Sequence, residues 1–126
     1  MTASASERPL IPQPAASVMP LHDAVAQIAP AALPAFAHEL SRAADQARQG
    51  CDLVPLRRFT TQWAAYVHIQ RHPGTAARFR ELEDRAVVTD NADEARSAAA
   101  ELGRILDAAH RAVREPLKER PAPSSP

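Results

Sequence analysis

The aromatic residues of this chain are concentrated in one stretch, PLRRFTTQWAAYVHIQRHPGTAARFR, which spans residues 55–80. It holds the single Trp, the single Tyr and two of the three Phe residues, and it contains no Asp or Glu. At 100° per residue, Leu56, Phe59, Trp63, Tyr66 and Val67 fall on one face of a helix. The arginines and histidines fall away from that face. The stretch therefore predicts a core helix whose outer side is basic.

The length and composition predict one small domain. A chain of 126 residues can bury one core but is too short for two ordinary domains. Hydrophobic residues make up 45% of the chain and charged residues 24%, which is typical of a globular protein. The charges of the 15 basic and 15 acidic residues cancel, so the chain has no net positive charge that would attract nucleic acid or anionic lipid to the whole molecule. Any such binding must be local.

Several features favour a cytoplasmic location. No segment approaches the roughly 18 consecutive apolar residues of a membrane span. The first 20 residues, MTASASERPLIPQPAASVMP, lack the basic start and the apolar run of a signal peptide. The single Cys51 cannot form a disulfide within the chain, and we expect it to be half-buried and structural. We therefore expect a protein of the reducing cytoplasm without membrane contact.

The pattern on the N-terminal side of the chain predicts three helices. A short first helix ends before Pro30, and the second runs from about residue 33 to Gly50 at its C-terminal cap. The third begins with Asp52 as N-cap and ends at Pro73. The residues expected to face inward are Leu21, Val25 and Ile28 in the first helix and Leu33, Phe36, Leu40, Ala43, Ala44 and Ala47 in the second.

Two further helices are expected. The fourth starts with Thr75 as N-cap, and the fifth starts at Asn91, where Glu94 completes the pattern of a capping box, and ends near Pro116. The residues expected to face inward are Phe79, Leu82, Ala86 and Val87 in the fourth helix and Ala95, Ala98, Ala99, Leu102, Ile105, Leu106, Ala109 and Val113 in the fifth.

These elements predict an all-α fold, a small bundle of four to five helices. Proline, serine and alanine dominate residues 1–20 and the last residues of the chain. We therefore expect disordered tails at 1–20 and 117–126 around a single helical domain at 21–116. The last helix, at about 91–115, is expected either to dock on this domain or to be a loosely held arm for a partner.

Two surfaces are candidates for partner binding. The first is a basic face, since residues 53–80 carry five arginines and no acid, whereas an acidic run begins at Glu81. Either the two blocks are solvated or complement each other within the fold, which we favour, or the basic face meets an acidic partner. The second is the apolar side of the fifth helix. The candidate residues are Arg57, Arg58, Arg71, Arg78 and Arg80 on the basic face and Leu102, Ile105 and Leu106 on the fifth helix.

The sequence offers no pattern that defines an active site. His68 and His72 have the spacing of a zinc pair, but HIQRH lacks the Glu of a metalloprotease and no third ligand can be assigned. The three glycines are too far apart for a phosphate loop. The segment RHPGTAARFRELEDR is the one candidate for a helix-turn-helix, and its acids would repel phosphate. We therefore predict no catalytic, cofactor-binding or metal-binding residue.

Residues 21–85 resemble a family of small helical proteins from actinobacteria that has no assigned function. The likeness rests on the short helix ending at Pro30 and on Pro73, together with packing residues in the second and third helices. These packing residues are Phe36, Glu39, Leu40, Ala43, Ala47, Leu53, Leu56 and Trp63. Family members often have a bulky or aromatic residue after the Trp, where this chain has Ala64. The resemblance implies no enzymatic activity, and some members resemble antitoxins that bind a small ribonuclease-like toxin.

The sequence therefore predicts a protein without enzymatic activity that binds another macromolecule. The expected partner is a protein, either toxin-like or a second copy of the chain. The alternative is a nucleic-acid-binding regulator that uses the basic face at residues 57–80. A metal-dependent enzyme is a distant third, and no cofactor is expected.

Overall fold

The computed structural model describes residues 8–114 as a bundle of five α-helices, and no strand occurs in this range. This confirms the predicted all-α fold. None of the helices in the described range is long and apolar enough to cross a membrane. The helices are α1 (Val18–Ile28), α2 (Leu33–Gly50), α3 (Val54–Gln70), α4 (Pro73–Val88) and α5 (Ala92–Arg114), with a 3-10 turn at Pro30–Ala32 between the first two.

Helix α3 is the centre of the bundle, because it contacts each of the other four helices. On one side, Phe59, Trp63 and Val67 are buried against α1 and α2. On the other side, Ala65 and Ile69 are buried against α4 and α5. The periodicity of the large residues predicted the first side only, since alanine and a single Ile give a weak pattern. The fold thus has two thin layers of core with α3 between them.

Aromatic rings join α2 to α3. The ring of Phe36 lies edge-on to those of Phe59 and Trp63, with centroids 5.0 Å apart in both pairs. Tyr66 continues the cluster at 4.9 Å from Trp63. The indole Nε1–H of Trp63 donates a hydrogen bond of 2.9 Å to Oε1 of Glu39. Edge-on pairs add about 0.5–1.5 kcal/mol beyond the area that they bury, so this cluster fixes how the two helices pack.

Replacing Trp63 tests the role of this cluster. We expect Trp63→Ala to lower the free energy of unfolding by about 3–5 kcal/mol, because the substitution leaves a cavity in a small core. Trp63→Phe should cost less, since it keeps a ring and loses the bond to Glu39. Urea unfolding followed by circular dichroism measures both. Val87→Ala is the control because Val87 is 82% exposed. An unfolding midpoint unchanged in Trp63→Ala would refute the core assignment.

Helix α5 is docked along its length. Ala98 and Ala109 are buried, and Val113 packs against the larger core cluster. Near the middle of α5, Glu101 forms two hydrogen bonds of 2.8 and 3.0 Å with the guanidinium of Arg78 on α4. Small residues on the inner face of α5 allow this close approach. In the structure α5 therefore packs on α3 and α4, and how firmly it is held there stays a prediction.

Two expectations about α4 are wrong. The helix begins at Pro73 and not after Thr75, because proline lacks the N–H that the first turn leaves unpaired and fits this position without cost. The residue before it, His72, occupies the N-cap position without a side-chain bond to the helix. At the other end, Val87 does not face inward, because it is 82% exposed in the last turn.

The start of α5 confirms Asn91 as its N-cap. Its Oδ1 accepts hydrogen bonds of 2.8 and 3.1 Å from the backbone N–H groups of Asp93 and Glu94. The carboxylate of Glu94 does not return to Asn91, as a capping box requires. It accepts instead from the hydroxyl of Thr89, whose oxygen in turn accepts from the N–H of Asn91. The hydroxyl of Thr89 therefore stands between Glu94 and Asn91, where a capping box has a direct hydrogen bond.

The end of α2 is closed by a Schellman motif, in which a residue with positive φ reverses the chain. The N–H of Asp52 donates to the carbonyl oxygen of Ala47 at 3.1 Å, and the N–H of Cys51 to that of Arg48 at 3.4 Å. The left-handed residue is Cys51, with φ 51° and ψ 46°, and not Gly50, which is the last residue of the helix. Cys51 is also exposed, so the expectation of a half-buried cysteine is wrong.

This motif predicts that Cys51→Gly stabilises the protein by about 0.5–1 kcal/mol, because glycine has no Cβ to strain the left-handed conformation. Cys51→Ala is the matched control, since it also removes the thiol but keeps the Cβ. Thermal unfolding under reducing conditions compares the variants. A gain in both variants would assign the effect to the thiol and contradict the backbone argument.

The segment before α1 is held on α3 by four hydrogen bonds. The N–H of Leu10 donates to the carbonyl oxygen of Arg71 at 2.7 Å, and the Arg71 guanidinium donates to the carbonyl oxygen of Ile11 and to Oε1 of Gln13. The side-chain amide of Gln13 donates to the carbonyl oxygen of Ala64 at 3.1 Å. Arg71 therefore fastens this segment to the end of α3.

The predicted tail at residues 1–20 is therefore too long. Residues 10–13 are bonded to α3, Ile11 packs on the core, and α1 already begins at Val18. Sequence reasoning missed this because Pro-rich extended chain has no periodicity and is held by tertiary bonds. The expectations for residues 1–7 and 115–126 lie outside the described residues.

Arg71→Ala tests this attachment. We expect a loss of about 1–3 kcal/mol in the free energy of unfolding, because two hydrogen bonds from a charged donor disappear. Arg80→Ala is the control, since Arg80 is exposed and makes no ion pair within residues 8–114. Chemical denaturation measures both variants, and hydrogen exchange at Leu10 reports on the segment itself. Equal stability of the two variants would show that the attachment contributes little.

Candidate partner-binding site

A groove of about 270 Å³ lies between α2 and α3. A connection at residues 51–53 joins the two helices. Ala43 and Phe59 are buried and form the floor, and the small side chain of Ala43 leaves the space above it open. The rim is polar and exposed. The residues that line the groove are Glu39, Arg42, Ala43 and Gln46 from α2 and Pro55, Arg58, Phe59 and Gln62 from α3.

A second, more open depression of about 470 Å³ lies on the other side of α3, toward α5. Its lining includes Arg57 and Thr61 from α3 and His110 from α5. Arg58 and Gln62 line both depressions and form the ridge between them. The two depressions and this ridge make one continuous surface, which we call the arginine groove.

The arginine groove carries positive charge that the protein does not neutralise. Arg42, Arg57 and Arg58 are exposed, and none of them forms an ion pair in the part of the chain that the structure describes. Glu39, the one acid in the lining, accepts from the indole N–H of Trp63. Four other arginines form ion pairs, which are Arg48 with Asp45, Arg78 with Glu81 and Glu101, Arg85 with Glu81, and Arg96 with Asp93. Within residues 8–114 the arginines outside the groove that form no ion pair are Arg8, Arg71, Arg80, Arg104, Arg111 and Arg114, so it is the grouping of three such arginines around one depression that distinguishes the groove.

The position of Arg57 and Arg58 in α3 is unfavourable for the helix. They are its fourth and fifth residues, and its first turn contains no acid. The N-terminal end of a helix carries a partial positive charge, so cations there cost a few tenths of a kcal/mol, about 0.3–1 kcal/mol at most. Helix stability therefore does not explain the presence of these two arginines.

The five arginines that were predicted to form a basic face lie in three separate parts of the structure. Arg57 and Arg58 line the arginine groove, whereas Arg71 lies about 20 Å further along α3 at a rise of about 1.5 Å per residue. Arg71 holds the N-terminal segment, and burial lowers the pKa of its guanidinium. The basic stretch therefore does not form one continuous face.

The remaining two arginines lie on α4. The hydrogen bonds between Arg78 and Glu101 raise the pKa of the guanidinium and lower the pKa of the carboxyl, so this pair serves the α4–α5 contact. Arg80 is exposed near Tyr66. Burial raises the pKa of the Tyr66 phenol, the negative charge of Glu83 adds to this rise, and Arg80 opposes it. Neither arginine contributes to the arginine groove.

The apolar candidate residues on α5 mostly pack against other helices of the same chain. Ile105 packs against the small cluster around Ala65 and Ile69, and Leu102 is half-buried. Leu106 is more open, at 37% exposure. The interface with α3 and α4 thus accounts for two of the three residues.

His68 and His72 lie close together, with ring centroids 5.2 Å apart in an edge-on arrangement. Nδ1 of His72 donates to the carbonyl oxygen of His68 at 2.9 Å. Burial lowers the pKa of His68, and the positive charges of Arg71 and His72 lower it further. Among the described residues, no three His, Cys, Asp or Glu side chains are grouped as metal ligands would be.

Sequence reasoning missed several residues of the arginine groove. Arg42 and Gln46 are four apart on α2, and Arg58 and Gln62 are four apart on α3, so each pair lies on one face beside an apolar stripe. This signal was present in the sequence. That the two pairs face each other, and that His110 joins them from α5, depends on helix packing.

Comparison of the chain with protein-family models, with curated proteins and with solved structures found no match. The resemblance to the actinobacterial family stays a prediction. Interpretation of the site therefore rests on the geometry and charge of the arginine groove alone.

Proposed function

We propose that this protein is a binding module without enzymatic activity, and that it acts by holding another protein in the arginine groove. The observation that carries the proposal is the set of three unpaired arginines, Arg42, Arg57 and Arg58, around an open groove with an apolar floor. Partner proteins commonly place arginine at interfaces, because its guanidinium makes several directed hydrogen bonds.

The groove lining supports binding over catalysis. Between α2 and α3 the polar side chains other than the arginines and Glu39 are two glutamines, which donate and accept hydrogen bonds but do not titrate. Its one carboxylate, on Glu39, is bonded to Trp63. The depression between α2 and α3 contains no nucleophile beside a base, which is the arrangement that covalent catalysis requires. The second depression contains the hydroxyl of Thr61 and the imidazole of His110, whose Nδ1 donates to the carbonyl oxygen of Leu106. The family resemblance favours a toxin-like protein as the partner, and a second copy of the chain is the other partner that we consider.

Site-specific crosslinking tests this function. A photoreactive amino acid replaces exposed Gln62 on the ridge, and in a second variant it replaces exposed Ala100 on α5 as the control. Irradiation of cells that naturally contain the protein should give a discrete protein adduct from position 62 and none from position 100. Charge reversal by Arg57→Glu with Arg58→Glu should abolish the adduct. Loss of the adduct on nuclease treatment, or no adduct at position 62, would contradict the proposal.

A nucleic-acid-binding regulator is the second candidate, favoured by the unpaired charges of Arg57 and Arg58. Binding to phosphates releases counterions, so its affinity must fall steeply as salt rises. An electrophoretic mobility shift with duplex and single-stranded DNA and RNA, at low and moderate salt, measures this. A salt-dependent shift that Arg57→Gln weakens would favour the regulator over the protein-binding module.

A further inference from the structure

We propose that the arginine groove is a receptor for an acidic peptide segment, whose Asp or Glu carboxylates pair with Arg42, Arg57 and Arg58. This inference rests on the proposed function and adds the chemistry of the partner. A carboxylate matches the planar guanidinium with two parallel hydrogen bonds, so arginine recognises it in a defined orientation.

The arrangement of the three arginines favours a segment that lies across α3. Arg42 borders the groove on the α2 side, Arg58 is on the ridge and Arg57 lines the depression toward α5. A segment that crosses the ridge meets all three in turn. Gln46 and Gln62 on the rim can bond to its peptide groups, since each amide both donates and accepts.

The floor of the groove favours a peptide over a nucleic acid. Phe59, the one aromatic residue of the lining, is only 4% exposed, so its ring is not available for stacking on bases. Above Ala43 the floor offers a small apolar space for a side chain of the segment. Glu39 in the wall would repel a continuous run of phosphates, whereas a peptide can place a neutral residue there.

The electrostatics of α3 agree with this assignment. Arg57 and Arg58 are two cations near the positive end of the helix dipole, and the acid nearest in sequence, Asp52, accepts a hydrogen bond of 3.0 Å from the N–H of Val54 and pairs with neither of them. An acidic segment would offset this repulsion when it binds. Stability of the free protein should therefore rise, and binding fall, when Arg57 becomes acidic.

The experiment measures binding of short fluorescent peptides by anisotropy. The probe is a peptide rich in Asp, Glu and Leu, and its matched control has Asn and Gln in place of the acids. The acidic peptide should bind at low salt and weaken as salt screens the charges. The amide peptide should bind at least about tenfold more weakly, as the loss of several ion pairs implies. Duplex and single-stranded DNA are tested in parallel.

Variants assign the binding to this site. The triple variant with Arg42→Gln, Arg57→Gln and Arg58→Gln should lose about tenfold or more in affinity for the acidic peptide. Arg48→Gln is the control, because Arg48 is an exposed arginine of α2 that pairs with Asp45 and does not line the groove. In thermal unfolding, Arg57→Glu should melt at or above the temperature of the unchanged protein.

Three results would overturn the inference. They are equal binding of the acidic and amide peptides, an equal loss of affinity in Arg48→Gln and the triple variant, and tighter binding of DNA than of the acidic peptide. The crosslinking experiment at Gln62 tests the proposed function independently of the acidic-peptide inference. A protein adduct without acidic-peptide binding would leave the function standing and remove this partner chemistry, and the reverse result would remove the cellular function alone.

Discussion

The indole ring of Trp63 lies where α2 and α3 pack together, in contact with the rings of Phe36 and Tyr66 and bonded to Glu39. This contact sets how far apart the two helices lie. With alanine as the floor residue on the α2 side, at Ala43, the helices leave an open channel above their contact. The arginine groove is thus a consequence of how the aromatic core is packed, and a change in that core would alter the site.

The two sides of α3 pack with side chains of different size. Toward α1 and α2 the core is built from large rings, whereas toward α5 it is built from small residues such as Ala65 and Ala109 with Ile69. Small residues bury little area at about 25 cal/mol per Å², but they allow close helix approach and many weak contacts. The hydrogen bonds between Arg78 of α4 and Glu101 of α5 add a directed contact to the same helix.

Charged side chains in this protein have two separate uses. Arg71 and Arg78 hold structural elements together through hydrogen bonds that define the N-terminal segment and the α4–α5 contact. Arg57 and Arg58 form no such bond and lie at the end of α3 where a cation is least favourable. Unpaired charge at an unfavourable helix position agrees with the proposed binding surface, because functional sites commonly cost some stability.

The sequence by itself determined the helices, their approximate ends and the inward position of Trp63, because these depend on periodicity and on local caps such as Asn91. Only the tertiary structure decided that residues 10–13 are bonded to α3 and that the side of α3 with Ala65 is buried. It also decided which arginines of the basic stretch hold structural elements together and which are unpaired. Those outcomes depend on which residues of different helices meet, and a helical pattern carries no information about its neighbours. Arg58 and Arg71 both belong to the basic stretch, and the sequence does not distinguish their roles. In the bundle, Arg71 is bonded to the N-terminal segment, whereas Arg58 lines the arginine groove and is a candidate partner-binding residue.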